Sequence, residues 1–421
     1  MMQARHASAN VRGTRLFRRH VEAASASSFV PPWSETSGLL EPPLPFSVSI
    51  AGGGIGGLTA ALAFSRAGHS VNVYEQAWTL RETGAGIQLS PNAMHVLCSL
   101  QLGPQIRRVA SEPLFAAICH YRSGSTFFSP TLKPHCERRY GAPYLHVHRA
   151  DLHSILVDSV ADVGARLHTG ARAEGYELER GRASLRLFGG ASPAADLVIG
   201  ADGLHSRVRE QMLGAEAPRF TGHVAWRGIV KADRLEPCLV KPGATVWIGP
   251  GRHVVTYLLR GGELVNFAAF DENRRWTDES WTARGDPDEL RSMFRGWHPE
   301  VGQVVDQIEE PFKWALFDRD ELPRWSEGPV TLLGDACHPT LPYMAQGAAL
   351  AIEDAIVLER LVTRGDIEKA LIDYERQRKS RATLLQGMAR ANGRTFHMTG
   401  TADWLRLSVL KTLNMLPPSL K

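Results

Sequence analysis

Three glycines, Gly52, Gly54 and Gly57, stand in GxGxxG spacing after the apolar run FSVSIA and at the mouth of an apolar-periodic segment. Each position has a chemical use. The first permits a tight turn, the second lets backbone N–H groups approach a pyrophosphate, and the third lets helix and strand pack closely. The N-terminus of the following helix adds partial positive charge where phosphates would sit. Glu75 ends the next strand, SVNVYE. An acidic side chain about 20 residues beyond the glycines accepts from ribose hydroxyls. Together these features predict dinucleotide binding. The alternative is a glycine turn at a helix start, with Glu75 a solvated strand end.

Two more apolar strands end in glycine and acid. DLVIGADG carries Asp202, and VTLLGDA carries Asp335. In an open α/β sheet, ligands bind outside the carboxyl ends of the strands, so three such ends point to one crevice. An aspartate there holds a polyol hydroxyl, or it caps the helix that follows.

The elements that must position these residues follow from periodicity. A helix is expected from about Ile55 to Ala67, ended by Gly68, and another over about 149–164. A hairpin is expected around Gly181. HVAWRGIV, ATVWIG, HVVTYLLR and LVNFAAF read as four short strands without intervening helices, hence an antiparallel sheet. A helical stretch near 287–310 follows, and long helices are expected at about Gln346–Val362 and Ile367–Gly393. No internal repeat is visible. The division is an extension over 1–45, a discontinuous nucleotide domain over 46–220 and 320–395, an inserted sheet domain over 221–319, and an amphipathic tail over 396–421.

The chain has 421 residues, 43% hydrophobic and 22% charged. That is ordinary globular composition and long enough for a large core. No run reaches the roughly 18 apolar residues of a membrane span. Lys plus Arg exceed Asp plus Glu by 48 − 44 = 4, without the basic stripe a nucleic-acid surface needs. The first 46 residues hold five Arg and three Glu, so they carry +2 of that charge. Arg-rich, Ser-rich and acid-poor composition describes an organelle transit peptide. The simpler reading is a disordered tail or an early start codon, which leaves a cytoplasmic protein. Five cysteines, none in CxxC spacing, suit a reducing compartment and give no zinc site.

The order and spacing of VSIAGGGIGGLTAALAF, VYEQA…LRETGAGIQLSPNA, YLHVHRADLH, VIGADGLHSRVR and WALFDRDELPRWSEGPVTLLGDACHPTLPYMAQGAALAIEDA resemble the single-component FAD-dependent aromatic hydroxylases, the group A flavoprotein monooxygenases. The resemblance covers about residues 46–395. It is nearest to the salicylate hydroxylase, 3-hydroxybenzoate 6-hydroxylase and 6-hydroxynicotinate 3-monooxygenase types. It implies an α/β fold: a Rossmann-like FAD-binding domain with an inserted β-sheet substrate domain and C-terminal helices. It implies that Gly52, Gly54 and Gly57 cradle the FAD pyrophosphate and that Glu75 binds the adenosine ribose. Arg149 would contact the ribityl and phosphate region, Asp335 the ribityl chain, and Asp202 would sit near the pyrophosphate. Gly347 and Ala348 would place a helix N-terminus by the pyrimidine end of the flavin, where reduced flavin is negative. In this family NADH or NADPH reduces FAD, O2 adds at the flavin C4a, and the hydroperoxide oxygenates a small phenolic ring.

Such chemistry asks the protein for a group to take the phenol proton, a carboxylate anchor and a dry pocket. Strand alternation puts His223, Ala225 and Arg227 on one face of TGHVAWRG, and Val224 and Trp226 on the other. His223 has the intrinsic proton affinity for the first task, though a hydrogen-bonded strand histidine reads the same way. Arg227 can pair bidentately with a carboxylate, or form a structural ion pair between domains. Tyr257 lies in the pocket or in the core. The resemblance points to Tyr343 and Met344 as pocket residues, with Tyr343 a catalytic candidate beside His223, and to Gln88 near the substrate side of the flavin; His338 reads as a loop-shaping histidine. The tail ADWLRLSVLKTLNMLPPSLK departs from the Trp/Tyr-rich tails common in relatives, and suits a closing helix or a dimer contact. The expected partners are a small aromatic substrate and O2, with no nucleic acid and no membrane, in a monomer or homodimer. Rival readings are a tailoring monooxygenase for a larger natural product, a flavin-binding sensor without turnover, and an NAD dehydrogenase.

Overall fold

A computed structural model describes residues 44–80, 85–215, 218–273, 280 and 282–398. All but two residues of the 1–45 extension, and all but three of the 396–421 tail, lie outside these ranges.

Ser47–Ala51, Leu197–Gly200 and Val330–Leu332 are short aliphatic runs, almost wholly buried. Strands buried on both faces suit a parallel sheet covered by helices. They form the centre of a six-stranded sheet in the order Ser326–Glu327, Val330–Leu332, Leu197–Gly200, Ser47–Ala51, Ser70–Glu75, Arg166–Thr169. Every neighbouring pair is parallel except the short Ser326–Glu327 edge. The register sets Ala51 beside Gly200 and Tyr74, and Gly200 beside Leu332. The strand ends that lead into Gly52, Glu75, Asp202 and Asp335 therefore share one edge. The Ile55–Arg66 helix packs against Gly347–Val362 and Arg149–Asp162.

The second sheet has seven strands: Phe312–Asp318, Arg219–Lys231, Leu264–Glu272, Arg252–Leu259, Gly243–Gly249, Phe115–His120 and Thr126–Phe128. The four strands read from the sequence are antiparallel neighbours. Phe115–His120 pairs in parallel with Gly243–Gly249. The second sheet thus takes in residues 115–128, which the sequence division left with the first domain. An edge pairing made so far along the chain leaves no local mark.

One face of this sheet, with Val224, Trp226, Trp247, Val254 and Phe267, packs against Leu290, Phe294, Val301, Val304 and Val305. Each fully buried side chain of this size contributes roughly 1.5–3 kcal/mol. The helical stretch near 287–310 is two helices, Pro287–Met293 and Pro299–Asp306. Gly296, at φ +78, turns the chain between them, and His298 Nδ1 accepts from Glu300 N to start the second. The opposite face carries Ala225, Phe270, Trp314 and Leu316 against Tyr343. The last helix, Ile367–Phe396, runs three residues past its expected end. None of the described helices is long and apolar enough to cross a membrane.

Candidate functional site

The glycine loop is built for close approach. Gly52 has φ +103, and a Cβ there would lie 2.3 Å from Ala201 O. A Cβ at Gly57 would lie 2.1 Å from Gly52 O, so strand and helix meet backbone to backbone. A Cβ at Gly54 would meet nothing within 4 Å, because this residue faces open space. Gly54 is also the N-cap of the Ile55–Arg66 helix, which has no side-chain cap and no acid in its first turn. Its first N–H groups are left to an anion. Glu75 supports the loop: Gly53 N donates to its Oε2 at 2.7 Å and Ala77 N to its Oε1 at 2.8 Å. On the far side, buried His153 Nε2 lies 2.8 Å from Gly53 O.

A cavity of about 730 Å³ opens in front of this loop, within the usual range of small-molecule sites. Gly52, Gly54, Glu75, Arg149, Asp202, Asp335 and Arg227 all line it. Asp335 is accessible at the cavity, with protein packed densely around it. Burial raises its pKa, against the pull of His338, Arg149, Arg319 and Arg209. The Gly347–Val362 helix begins beside it, since a Cβ at Gly347 would lie 3.9 Å from Asp335 Oδ1. That helix too has no side-chain cap and no acid in its first turn, so Gly347 and Ala348 present uncapped N–H groups. Asp202 differs from the rest. Ser206 Oγ, Arg207 N and Val208 N donate to it at 2.5, 2.7 and 3.3 Å, so its carboxylate caps the Arg207–Leu213 helix. Two uncapped helix starts, an open glycine turn and acids for ribose and polyol hydroxyls fit FAD.

The substrate candidates fall into four places. His223 and Tyr343 meet, with Tyr343 Oη 2.9 Å from His223 Nδ1. Burial, with Glu272 nearby, pushes the Tyr343 phenol pKa well up, so this group stays protonated. Arg227 is 5% exposed. Its guanidinium lies 5.0 Å from the ring centroids of both Phe312 and Trp314, at the wall of the cavity.

Gln88 and Tyr257 form a separate polar cluster. Tyr144 Oη donates to Gln88 Oε1 at 2.6 Å, and Gln88 pairs in register with His146. The His146 ring lies 4.4 Å from that of Tyr257. Burial holds the pKa of His146 down to about 3, so it is neutral. Met344 turns away from Tyr343 and packs with Leu350, Leu385 and Met388.

Sequence reasoning missed Glu272 and His397, which flank His223, and His253, which meets His397. His253 had a signal, since it shares the alternation of Tyr257 along HVVTYLL. His397 had none.

Residues 46–388 match the family described as FAD binding domain. The chain is 39% identical to a 3-amino-4-hydroxybenzoate 2-monooxygenase of Streptomyces platensis, over 83% of this chain and 88% of that protein. It is 38% identical to a 3-hydroxybenzoate 6-hydroxylase of Polaromonas naphthalenivorans, over 88% and 92%. Its fold is similar to that of Klebsiella pneumoniae HpxO complexed with FAD and uric acid, with a TM-score of 0.78 and 28% identity, covering 87% of this chain and 93% of that one. With an FAD cradle in place and monooxygenases of matching length as relatives, the chain belongs to the FAD-binding-domain family and is an FAD-dependent monooxygenase of the aromatic hydroxylase type.

Proposed function

We propose that this enzyme hydroxylates a small phenolic aromatic acid, salicylate-like in carrying both a ring hydroxyl and a carboxylate. NADH or NADPH and O2 are its co-substrates. The observation that carries the reading is the 2.9 Å contact of Tyr343 Oη with His223 Nδ1, on the strand that also presents Arg227 to the cavity. FAD, when bound, supplies the passage of electrons from NAD(P)H to O2 and of one oxygen atom to the ring.

The chain's own residues prepare the ring. The His223–Tyr343 pair takes the phenol proton, which raises electron density on the carbon to be attacked. Arg227 pairs with the carboxylate and fixes the ring's orientation. Ala225, Phe270, Trp314 and Leu316 form an apolar wall that excludes water. Gln88 and Tyr257 offer hydrogen bonds to a further ring substituent. The relatives named above support this class, since both substrates in their names are hydroxybenzoates. Five free cysteines support a reducing, cytoplasmic setting, and we place the enzyme there as a monomer or homodimer.

The test uses the purified holoenzyme. NADH and NADPH oxidation is followed with salicylate, 3-hydroxybenzoate, 3-amino-4-hydroxybenzoate and 6-hydroxynicotinate. One acid stimulates oxidation and yields a product heavier by one oxygen atom in the mass spectrum. Flavin absorbance without stimulation by any of them overturns the small-acid reading.

A further inference from the structure

His223 does not stand alone with Tyr343. Its other ring nitrogen, Nε2, lies 3.2 Å from Nδ1 of His397. Nε2 of His397 in turn lies 2.9 Å from Nδ1 of His253. His397 is 5% exposed and His253 1%. Phe270 stacks on His253 at 4.6 Å, and Phe396 meets it at 4.9 Å. Among the described groups nearby, Glu272 is exposed and His223 half-buried, and one Glu272 oxygen lies within 4.8 Å of a nitrogen of both His223 and His397. Arg252 and Asp271, the next charges on these strands, pair with each other at 3.0 Å.

The donor count gives this series a direction. A neutral imidazole has one N–H and one lone pair. Three bonds in series through neutral rings are all made only if they run the same way. When Tyr343 Oη donates to His223 Nδ1, His223 Nε2–H must donate to His397 Nδ1, and His397 Nε2–H to His253 Nδ1. The opposite sense satisfies the same contacts. The series therefore has two neutral states; passing from one to the other moves one proton along each bond, takes one up at Tyr343 Oη and gives one up at His253 Nε2.

We propose that His397 is a positioning residue for His223 and the outlet for the substrate's proton, handing it to solvent beside Glu272. The proposal rests on the hydroxylation reading above. The phenol O–H bond breaks and its proton joins Tyr343 Oη, as the tyrosine's own proton moves to His223 Nδ1. The Nε2 proton of His223 moves to His397 Nδ1. The phenolate keeps the electron pair, and the new positive charge sits on His397, next to the Glu272 carboxylate, until the His397 Nδ1–H bond breaks and that proton passes to solvent. His253 accepts from His397 Nε2–H throughout and fixes that ring. A tyrosine held protonated by burial suits a concerted transfer without a standing tyrosinate. After oxygen transfer the same bonds run in reverse and return a proton to the product.

The test is the variant His397→Asn in the holoenzyme. Asparagine places a hydrogen-bonding atom near the Nδ1 position but has no basic nitrogen to take up the proton. Proton release on binding the aromatic acid, without reductant, is followed with an indicator dye in weak buffer. The expected result is a KM within about twofold of wild type and a release rate lowered about a hundredfold, in the range of general acid–base effects. Added imidazole buffer restores the rate, and the pH profile of kcat/KM shifts. Unchanged release, independent of buffer, in an enzyme that still hydroxylates overturns the proposal. A second measurement needs no substrate: ¹⁵N spectra of the histidine-labelled holoenzyme. His223 shows one fixed tautomer in wild type, and mixed tautomers in His397→Ala. A fixed His223 in that variant also overturns the proposal. If no acid stimulates NAD(P)H oxidation while the tautomer result holds, the substrate reading has failed and the hydrogen-bonded chain has not.

Discussion

Nε2 of His338 lies 2.5 Å from Oδ2 of Asp354, and both side chains are closed off from water. The other carboxylate oxygen of Asp354 accepts from Arg378 Nε at 2.6 Å, and Arg378 reaches Glu353 at 2.8 Å. Gly334 N also donates to Asp354, at 3.3 Å. A buried charge network behind the loop thus holds the turn that presents Asp335 to the cavity.

Removing one partner of such a pair leaves an uncompensated buried charge, at a cost of about 3–5 kcal/mol. Asp354→Asn is expected to lower stability by that order and to weaken FAD retention, because the Asp335 turn loosens. Denaturant unfolding of wild type and variant, with flavin release followed by fluorescence, checks both effects.

The same pair sets a pH window. Burial works against the charged form of Asp354, but His338 and Arg378 outweigh it and hold its pKa down to about 2, against an ordinary 3.8. Its contribution to stability is full above 3.8 and is lost as pH falls through about 2. Burial also opposes the His338 cation, and Asp354 outweighs that, so the His338 pKa rises above its ordinary 6.5. Its contribution is full below 6.5 and is lost as pH rises through the raised value. Stability measured against pH should fall steeply on the acid side, and the fall should flatten in Asp354→Asn.

The loop glycines separate folding from binding. Gly54→Val meets no protein atom near its Cβ, so the apoprotein should unfold at nearly the wild-type temperature. Its FAD Kd should rise at least tenfold, because the side chain stands where phosphate must approach. Gly57→Val collides with Gly52 O and should lower the melting temperature of the apoprotein itself. Thermal melts and flavin titrations of both variants give the comparison.

Arg227→Met keeps much of the volume between Phe312 and Trp314 and removes the charge. A charge-assisted pair contributes about 1.5–3 kcal/mol, so KM for the acid substrate should rise about ten- to a hundredfold with kcat little changed. The test compares the acid with its uncharged carboxamide. Arg227→Met should weaken the acid alone.

Asp202→Ala removes a helix cap, at about 1 kcal/mol. Because its carboxylate faces the Arg207–Leu213 helix start, FAD affinity should change by less than about threefold. Flavin titration alongside chemical denaturation distinguishes this from a direct cofactor contact.

The cofactor half of the molecule was legible in the chain. Buried aliphatic strands, a glycine turn at a helix start and an acid at a strand end are local patterns, and parallel pairing then carries each strand end to the same edge. The strand alternation of TGHVAWRG likewise follows from a period of two. How a side chain is used once it arrives is less local. Asp202 and Asp335 share a sequence context and both line the cavity, yet only the Asp202 carboxylate is taken up by a cap, because the Arg207–Leu213 helix starts five residues after it.

Sequence alone thus determined the α/β class, a dinucleotide cradle and the place of His223 and Arg227 in one strand, since sterics and spacing over a few residues settle each of these, while FAD itself came from the family resemblance. Tertiary structure decided the rest. Residues 115–128 joined the second sheet through an edge with no local signature. Met344 turned into the helical core while its neighbour Tyr343 met His223. The Ile367–Phe396 helix is about 45 Å long at 1.5 Å per residue, and its tertiary packing, not any motif within it, brings His397 to His223.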